Sequence, residues 1–125
     1  MENLKTIKIR KTTKPYPILN VKYCDTFLSK LVGLMFSKEM KPEYGLMIVE
    51  QVESRMSTSI HMLFMNYDIT VLWLDKEMVV VDKTLAKKWF PVYIPKNPAK
   101  FVLELHSSRY SEFQIGDKLE LVDEN

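Results

Sequence analysis

His61, His106 and Glu104 are the residues of this chain best suited to proton chemistry. A histidine changes charge near neutral pH, so either one can shuttle a proton or hold a metal. His61 stands between Ile60 and Met62 in an otherwise apolar stretch. The plainer alternative for it is a histidine at the core edge, bonded to backbone. Glu104 and His106 are two apart, so on a strand they project from the same face. Their Cα atoms would then lie about 6.5–7 Å apart, a spacing suited to acid–base work or to two ligands of one metal. Against this stands a solvated strand face, with Leu103 and Leu105 turned inward.

Other chemistries find less support. A metal centre needs three or four converging ligands, and the chain has two histidines with neither H-x-H nor H-E-x-x-H spacing. No metal and no cofactor are therefore expected. Cys24 is the only cysteine, which excludes an internal disulfide and a cysteine metal cluster; it reads as a small buried hydrophobe. Neither a G-x-S-x-G elbow nor a phosphate-cradling glycine loop is present. Lys87-Lys88-Trp89-Phe90 with Tyr93 mixes cations and aromatics as single-strand binders do. The plainer reading is an aromatic anchor in a proline loop with its lysines in water.

The elements that must position these residues are mostly strands. Residues 4–10, 18–24, 45–49, 70–74, 78–84, 101–107 and 118–122 all read as β. Leu19, Val21 and Tyr23 would share one face of the second. Val71–Leu74 and Val79–Val81 are continuously apolar, so both their faces can be buried, and Asp75-Lys76-Glu77 between them suits a hairpin loop. Pro91, Pro95 and Pro98 make residues 87–98 a loop. Asp25 or Thr26 can cap a short helix carrying Phe27, Leu28, Leu31 and Val32 on one face and ended by Gly33, after which Leu34-Met35-Phe36 would enter the core. Arg109–Phe113 fits one helical turn. The expected architecture is mainly β (α+β): an antiparallel β sandwich or partly closed barrel, jelly-roll-like, with one or two short helices, formed by residues 1–125 as a single globular domain.

Composition agrees with a soluble globular chain: 46% of residues are hydrophobic and 27% charged, which excludes a disordered polyelectrolyte. Residues 1–32 hold seven basic against two acidic side chains, and residues 33–125 hold eleven against fourteen. Such an arm can contact nucleic acid. Its interleaved Leu4, Ile7 and Ile9 favour the charged face of an edge strand instead, so no nucleic-acid partner is expected. The N-terminus, Met-Glu-Asn followed by lysines, lacks a signal-like apolar run, and no stretch approaches the ~20 apolar residues of a bilayer span. The expected compartment is the cytoplasm, with no membrane contact.

Six short signatures stand in order: Gly33-Leu34-Met35-Phe36, Gly45-Leu46-Met47-Ile48, Ser59-Ile60-His61-Met62, Val71-Leu72-Trp73-Leu74-Asp75, Phe101-Val102-Leu103-Glu104-Leu105 and Ile115-Gly116-Asp117. Over about residues 23–121 this series resembles the domain of unknown function 192 family. The resemblance implies a compact β-rich fold of sandwich or jelly-roll kind and no particular activity. Many relatives are exported, whereas this chain begins without a signal-like segment. Asp75 and Glu104 match the family pattern. Thr70 stands where relatives carry an acid, with Asp68 two residues earlier, and His106-Ser107-Ser108 replace the region of a glycine, so a site shaped by that acid and glycine would be altered here.

Two functions follow as expectations. The first is a non-enzymatic binding or accessory module. Residues 60–67 and 101–107 would line its groove, and His61, Met62, Asn66, Trp73 and Glu104 would face a small molecule or a partner segment. Methionines at 56, 62 and 65 would keep that surface adaptable. The second is a small hydrolase-like enzyme using His61, Glu104 and His106, which requires those side chains to converge on one pocket. The scarcity of clustered catalytic groups leans the reading toward the first.

Overall fold

The computed structural model describes residues 5–26, 34 and 37–122. Seven strands follow in chain order: β1 (Lys5–Lys11), β2 (Leu19–Cys24), β3 (Tyr44–Ser54), β4 (Ile69–Leu74), β5 (Val80–Ala86), β6 (Ala99–His106) and β7 (Leu119–Leu121). They form one sheet in the order β5-β4-β6-β3-β2-β1-β7, curled into a half-barrel. The expected partly closed barrel is thus the form adopted. All neighbours run antiparallel except β2 and β3, which pair in parallel. The helical turn near residue 109 is a 3-10 helix, Ser107–Glu112. The helix expected over residues 25–33 falls outside the described residues.

The sheet is curled by a tie between its two edges. Val79 bridges Lys118, Val80 N–H donates to the Asp117 carbonyl (2.8 Å), and Leu119 N–H donates to the Met78 carbonyl (2.9 Å). The tip of the β4–β5 hairpin is thereby fastened to the start of β7. Gly116 completes the tie with its N–H on the Val80 carbonyl (2.8 Å) at φ +99°, a conformation costly for any residue with a Cβ. The expected hairpin at 75–77 forms, and the Asp75 carboxylate caps it by accepting from the N–H groups of Glu77 and Val79.

Period-2 alternation divides the apolar residues between two cores. Inside the curl lie Ile9, Leu19, Val21, Met47, Leu72, Leu103, Leu105, Phe113 and Leu119, with Tyr23 packed against them. Leu19, Val21 and Tyr23 therefore share a face as expected. The opposite face holds Leu46, Ile48, Val71, Trp73 and Val102, covered by Ile60, Met62, Met65 and Tyr67 from the β3–β4 connection. Cys24 is fully buried in this second core.

Residues 5–11 of the basic arm form β1, but not an edge strand: β7 pairs with residues 9–11. Two of its charges are met locally. Arg10 pairs with Glu120 at 2.8 Å, and Lys11 pairs with Asp117 at 3.2 Å.

Gly45 lets the two central strands approach. A Cβ there would stand 2.6 Å from Leu105 Cδ2 and 3.0 Å from the Glu104 carbonyl oxygen. Overpacking of this kind costs about 1–3 kcal/mol. Gly45→Ala is expected to lower the urea midpoint accordingly at unchanged slope; an unchanged midpoint would show that β3 and β6 have room to part.

Candidate functional site

β6 lies between β3 and β4, with Glu104 opposite Leu46 on one side and Val71 on the other. Alternation puts Glu104 on the same face as Val102, and that face is roofed by residues 55–68. Glu104 is therefore buried, with 6% of its surface exposed. This corrects the solvated-face alternative. Leu103 and Leu105 do point into the inner core, but the other side of the strand is covered as well.

The roof is pinned at several points. Ile60 and Tyr93 exchange backbone hydrogen bonds of 2.9 and 2.8 Å. Met62 N–H donates to the Phe90 carbonyl (2.9 Å), and Trp89 N–H donates to the Met62 carbonyl (2.8 Å). From the sheet, Trp73 donates its indole N–H to the Thr58 carbonyl at 2.7 Å. The Thr58 hydroxyl in turn donates to the Ser54 carbonyl at 2.6 Å. Beneath this roof is a cavity of about 110 Å³. Val102 and Glu104 of β6, Ile48 and Glu50 of β3, and Ile69 of β4 line one side; Ser57 through Met62, Met65 and Leu34 line the other.

The structure brings some of the expected site residues together and separates others. His61, Met62 and Glu104 line the same cavity. Met62 is buried wall and His61 is exposed at the rim. His61 Nδ1 accepts the Leu63 N–H at 3.2 Å, so in the neutral ring the proton sits on Nε2. Trp73 lies in the core under the roof and acts on the cavity only through Thr58. Asn66 is exposed and His106 is half-buried, and neither lines the cavity. His106 Nε2 faces Glu39 at 3.3 Å, while Nδ1 accepts from the Ser108 N–H and caps the 3-10 helix. Its expected partnership with Glu104 therefore gives way to a structural role. Met65 takes its place in the wall beside Met62, as the methionine-rich surface led one to expect, whereas Thr58 and Glu50 were not singled out from sequence. Glu50 alone left a signal, falling in alternation with Leu46 and Ile48.

The electrostatics centre on Glu104. Burial raises its carboxyl pKa from 4.5 to about 7. No donor among the described residues reaches this carboxyl to oppose that effect. Tyr67 is raised too, chiefly by burial, with the charges of Glu104 and Glu39 adding and the Ser37 hydroxyl, 2.7 Å away, opposing. Among the described residues no group of three or more histidine, cysteine or acidic side chains could hold a metal. No described helix is long and apolar enough to cross a membrane.

The remaining sequence features have structural duties. Lys87 and Lys88 are exposed, Tyr93 accepts the Lys87 N–H at 2.9 Å, and its ring lies 4.7 Å from that of Phe90. Thr70, at the family's acid position, is buried and donates to the Ser107 carbonyl at 3.2 Å. Asp68 accepts the Lys88 N–H and lies 3.5 Å from Lys87 Nζ.

A curled seven-stranded sheet with a roofed cavity and a buried carboxyl defines the class of protein. The family profile of domain of unknown function 192, described as "Uncharacterized ACR", matches residues 7–121, and the chain belongs to that family. It is 38% identical over 104 residues to a UPF0127 protein of Pyrococcus furiosus, covering 82% of this chain and 86% of that protein. It is 45% identical over 84 residues to a UPF0127 protein of Thermococcus kodakarensis, covering 67% of this chain and 52% of that protein. The fold is similar to a crystal structure from Sinorhizobium meliloti named a "putative transcription regulator", with TM-score 0.86, 16% identity and 97% of both chains covered. A protein of unknown function from Novosphingobium aromaticivorans gives TM-score 0.76 at 17% identity, over 94% of this chain and 84% of that one. At these identities the two structures share the fold.

Two consequences can be measured. A carboxyl with a raised folded-state pKa costs no stability below the unfolded value and progressively more as pH rises through about 7. From pH 4 to pH 8.5 the loss amounts to about 3 kcal/mol at 1.36 kcal/mol per unit. Glu104→Gln is expected to remove that part of the loss in urea denaturation; parallel profiles for the two proteins would place the titration elsewhere. Trp73→Phe strands the Thr58 carbonyl, a cost of about 1–3 kcal/mol. It should also speed hydrogen exchange at the Ile60 and Met62 amides, and unchanged exchange there would mean the roof holds without the indole.

Proposed function

We propose that this protein is a small-ligand binding module whose site is the cavity between β6 and the 55–68 roof. The observation that carries this reading is Glu104: a buried side chain whose carboxyl, without a donor from the described residues, lines a cavity floored also by Ile48, Glu50, Ile69 and Val102. Among the described residues no fully buried side-chain oxygen lacks a partner, so the Glu104 carboxyl opens on the cavity and a donor can reach it from there. A ligand that brings a donor favours the ionised form that burial opposes. The lining adds hydroxyl groups at Ser57 and Ser59, the buried Thr58, and the imidazole of His61. Perturbed ionisation in a concave site is a recognised mark of function.

One observation favours an enzyme as the second reading. His61 and Glu104 line the same cavity, and a carboxyl that titrates near 7 can give or take a proton at neutral pH. The binding reading stands first because it needs only the cavity and the unpaired carboxyl. Catalysis also needs both groups within reach of one substrate.

The test is a thermal-shift panel of amines, carboxylic acids, sugars, nucleotides and divalent metals on the wild type and on Ser57→Trp, which plugs the cavity mouth. A ligand at a hundred times its Kd stabilises the fold by about 2.7 kcal/mol. One chemical class should raise the wild-type Tm and fail to raise that of the plugged variant. A panel without a shift would retire the small-ligand reading in favour of a protein partner.

A further inference from the structure

Glu104 also selects the class of ligand, an inference that rests on the binding reading above. Eighteen lysines and arginines occur in the chain, yet none appears among the described residues lining the cavity. Among the described residues its ionisable lining groups are Glu104, Glu50 and His61. An anionic ligand would have to approach the Glu104 carboxyl with no lysine or arginine among the described lining residues to meet its charge. A purely apolar ligand would leave the Glu104 carboxyl buried and unpaired.

The size of the cavity narrows the ligand further. An apolar cavity of about 150 Å³ admits a benzene molecule. The 110 Å³ here suits a smaller group, one charged head with a short apolar stem. Ile48, Met62, Met65 and Val102 are placed to pack against such a stem. Methionine thioethers adjust to irregular aliphatic shapes at little cost.

We infer that the cavity takes a small organic cation, an ammonium or guanidinium group on a short aliphatic stem, with the charge met by Glu104. A charge-assisted hydrogen bond to a desolvated carboxylate is among the stronger polar contacts available to a protein. The same chemistry is offered by a free amine and by a lysine or arginine side chain of a polypeptide. The cavity reads the charged end in either case.

The pH dependence follows from the titratable groups around Glu104. Glu50 from β3 and His61 from the roof line the same cavity, Tyr67 from the roof feels the charges of Glu104 and Glu39, and His106, two residues further along β6, faces Glu39. β4 presents apolar Ile69 and Val71. Glu104 must ionise to receive the cation, so binding competes with its proton. Alkylammonium ions stay charged through this range. Affinity should therefore rise about tenfold per pH unit below the carboxyl's titration and level off above it.

The experiment is an amide-shift titration of the protein with butylammonium, guanidinium, 1-butanol and butyrate at pH 5.5, 7 and 8.5. The expected result is movement of the Ser57–Met62 and Glu104 amides by the two cations, with affinity increasing with pH. Glu104→Gln, nearly the same shape, should lose about tenfold or more in cation affinity and all of its pH dependence. Tighter binding of butanol or butyrate, or cation binding indifferent to both pH and Glu104→Gln, overturns the inference while leaving a cavity that binds something else. Silence from all four probes overturns the cation and counts against the small-ligand reading itself. The wild-type pH series decides the matter even if the variant folds poorly. A Gly-Lys-Gly peptide blocked at both ends completes the set. Tighter binding than butylammonium assigns the cation to a polypeptide, and equal or weaker binding assigns it to a free amine.

Discussion

The structure depends on β6 being enclosed on four sides. β3 and β4 take its hydrogen bonds on either edge, the inner core takes Leu103 and Leu105, and the roofed face takes Val102 and Glu104. Hydrophobic burial drives both faces together, and close packing leaves little freedom to a strand so placed. An ionisable side chain on such a strand cannot turn to water. Its chemistry is set by whatever the rest of the chain lays over it.

Two separate ties produce this enclosure. The Val79–Lys118 bridge draws the edges of the sheet toward each other, which curves it around Phe113, Leu119 and the apolar face of β1 and β2. The exchange between Ile60 and Tyr93, with the Trp73 indole on the Thr58 carbonyl, holds the 55–68 segment against the opposite face. The first tie shapes a scaffold. The second creates a cavity on it, bounded by one rigid wall and one wall of loop. That is the usual division of labour between a supporting sheet and the connections that carry function.

The contrast between Glu104 and the family's other matching acid is instructive. Asp75 spends its carboxylate on two backbone N–H groups of a hairpin, and so serves the fold. Glu104 has no such partner among the described residues and lines a cavity. The two histidines divide in the same way: His106 caps a 3-10 helix and faces Glu39, whereas His61 stands at the cavity rim. Residues of equal promise as chemistry are separated by their hydrogen-bond commitments, and those are properties of the folded chain.

Alternation and turn chemistry are local, so the strands, the hairpin at residue 75, the proline loop and the shared face of Leu19, Val21 and Tyr23 could all be read from neighbouring residues. The placing of Glu104 and His106 on the opposite side of β6 from Leu103 and Leu105 was legible for the same reason. Whether that side meets water was not, because alternation names two faces without saying what covers either. The cover comes from residues 55–68, more than thirty positions earlier in the chain, and is fastened by Trp73 and Tyr93. Thr58 and Ser59 carry no periodic signal, and only the closing of that loop over β6 brings them to the site. The sequence by itself determined which strands form and which side chains share a face; the tertiary structure alone decided which face is dry, since burial depends on contacts between segments distant along the chain.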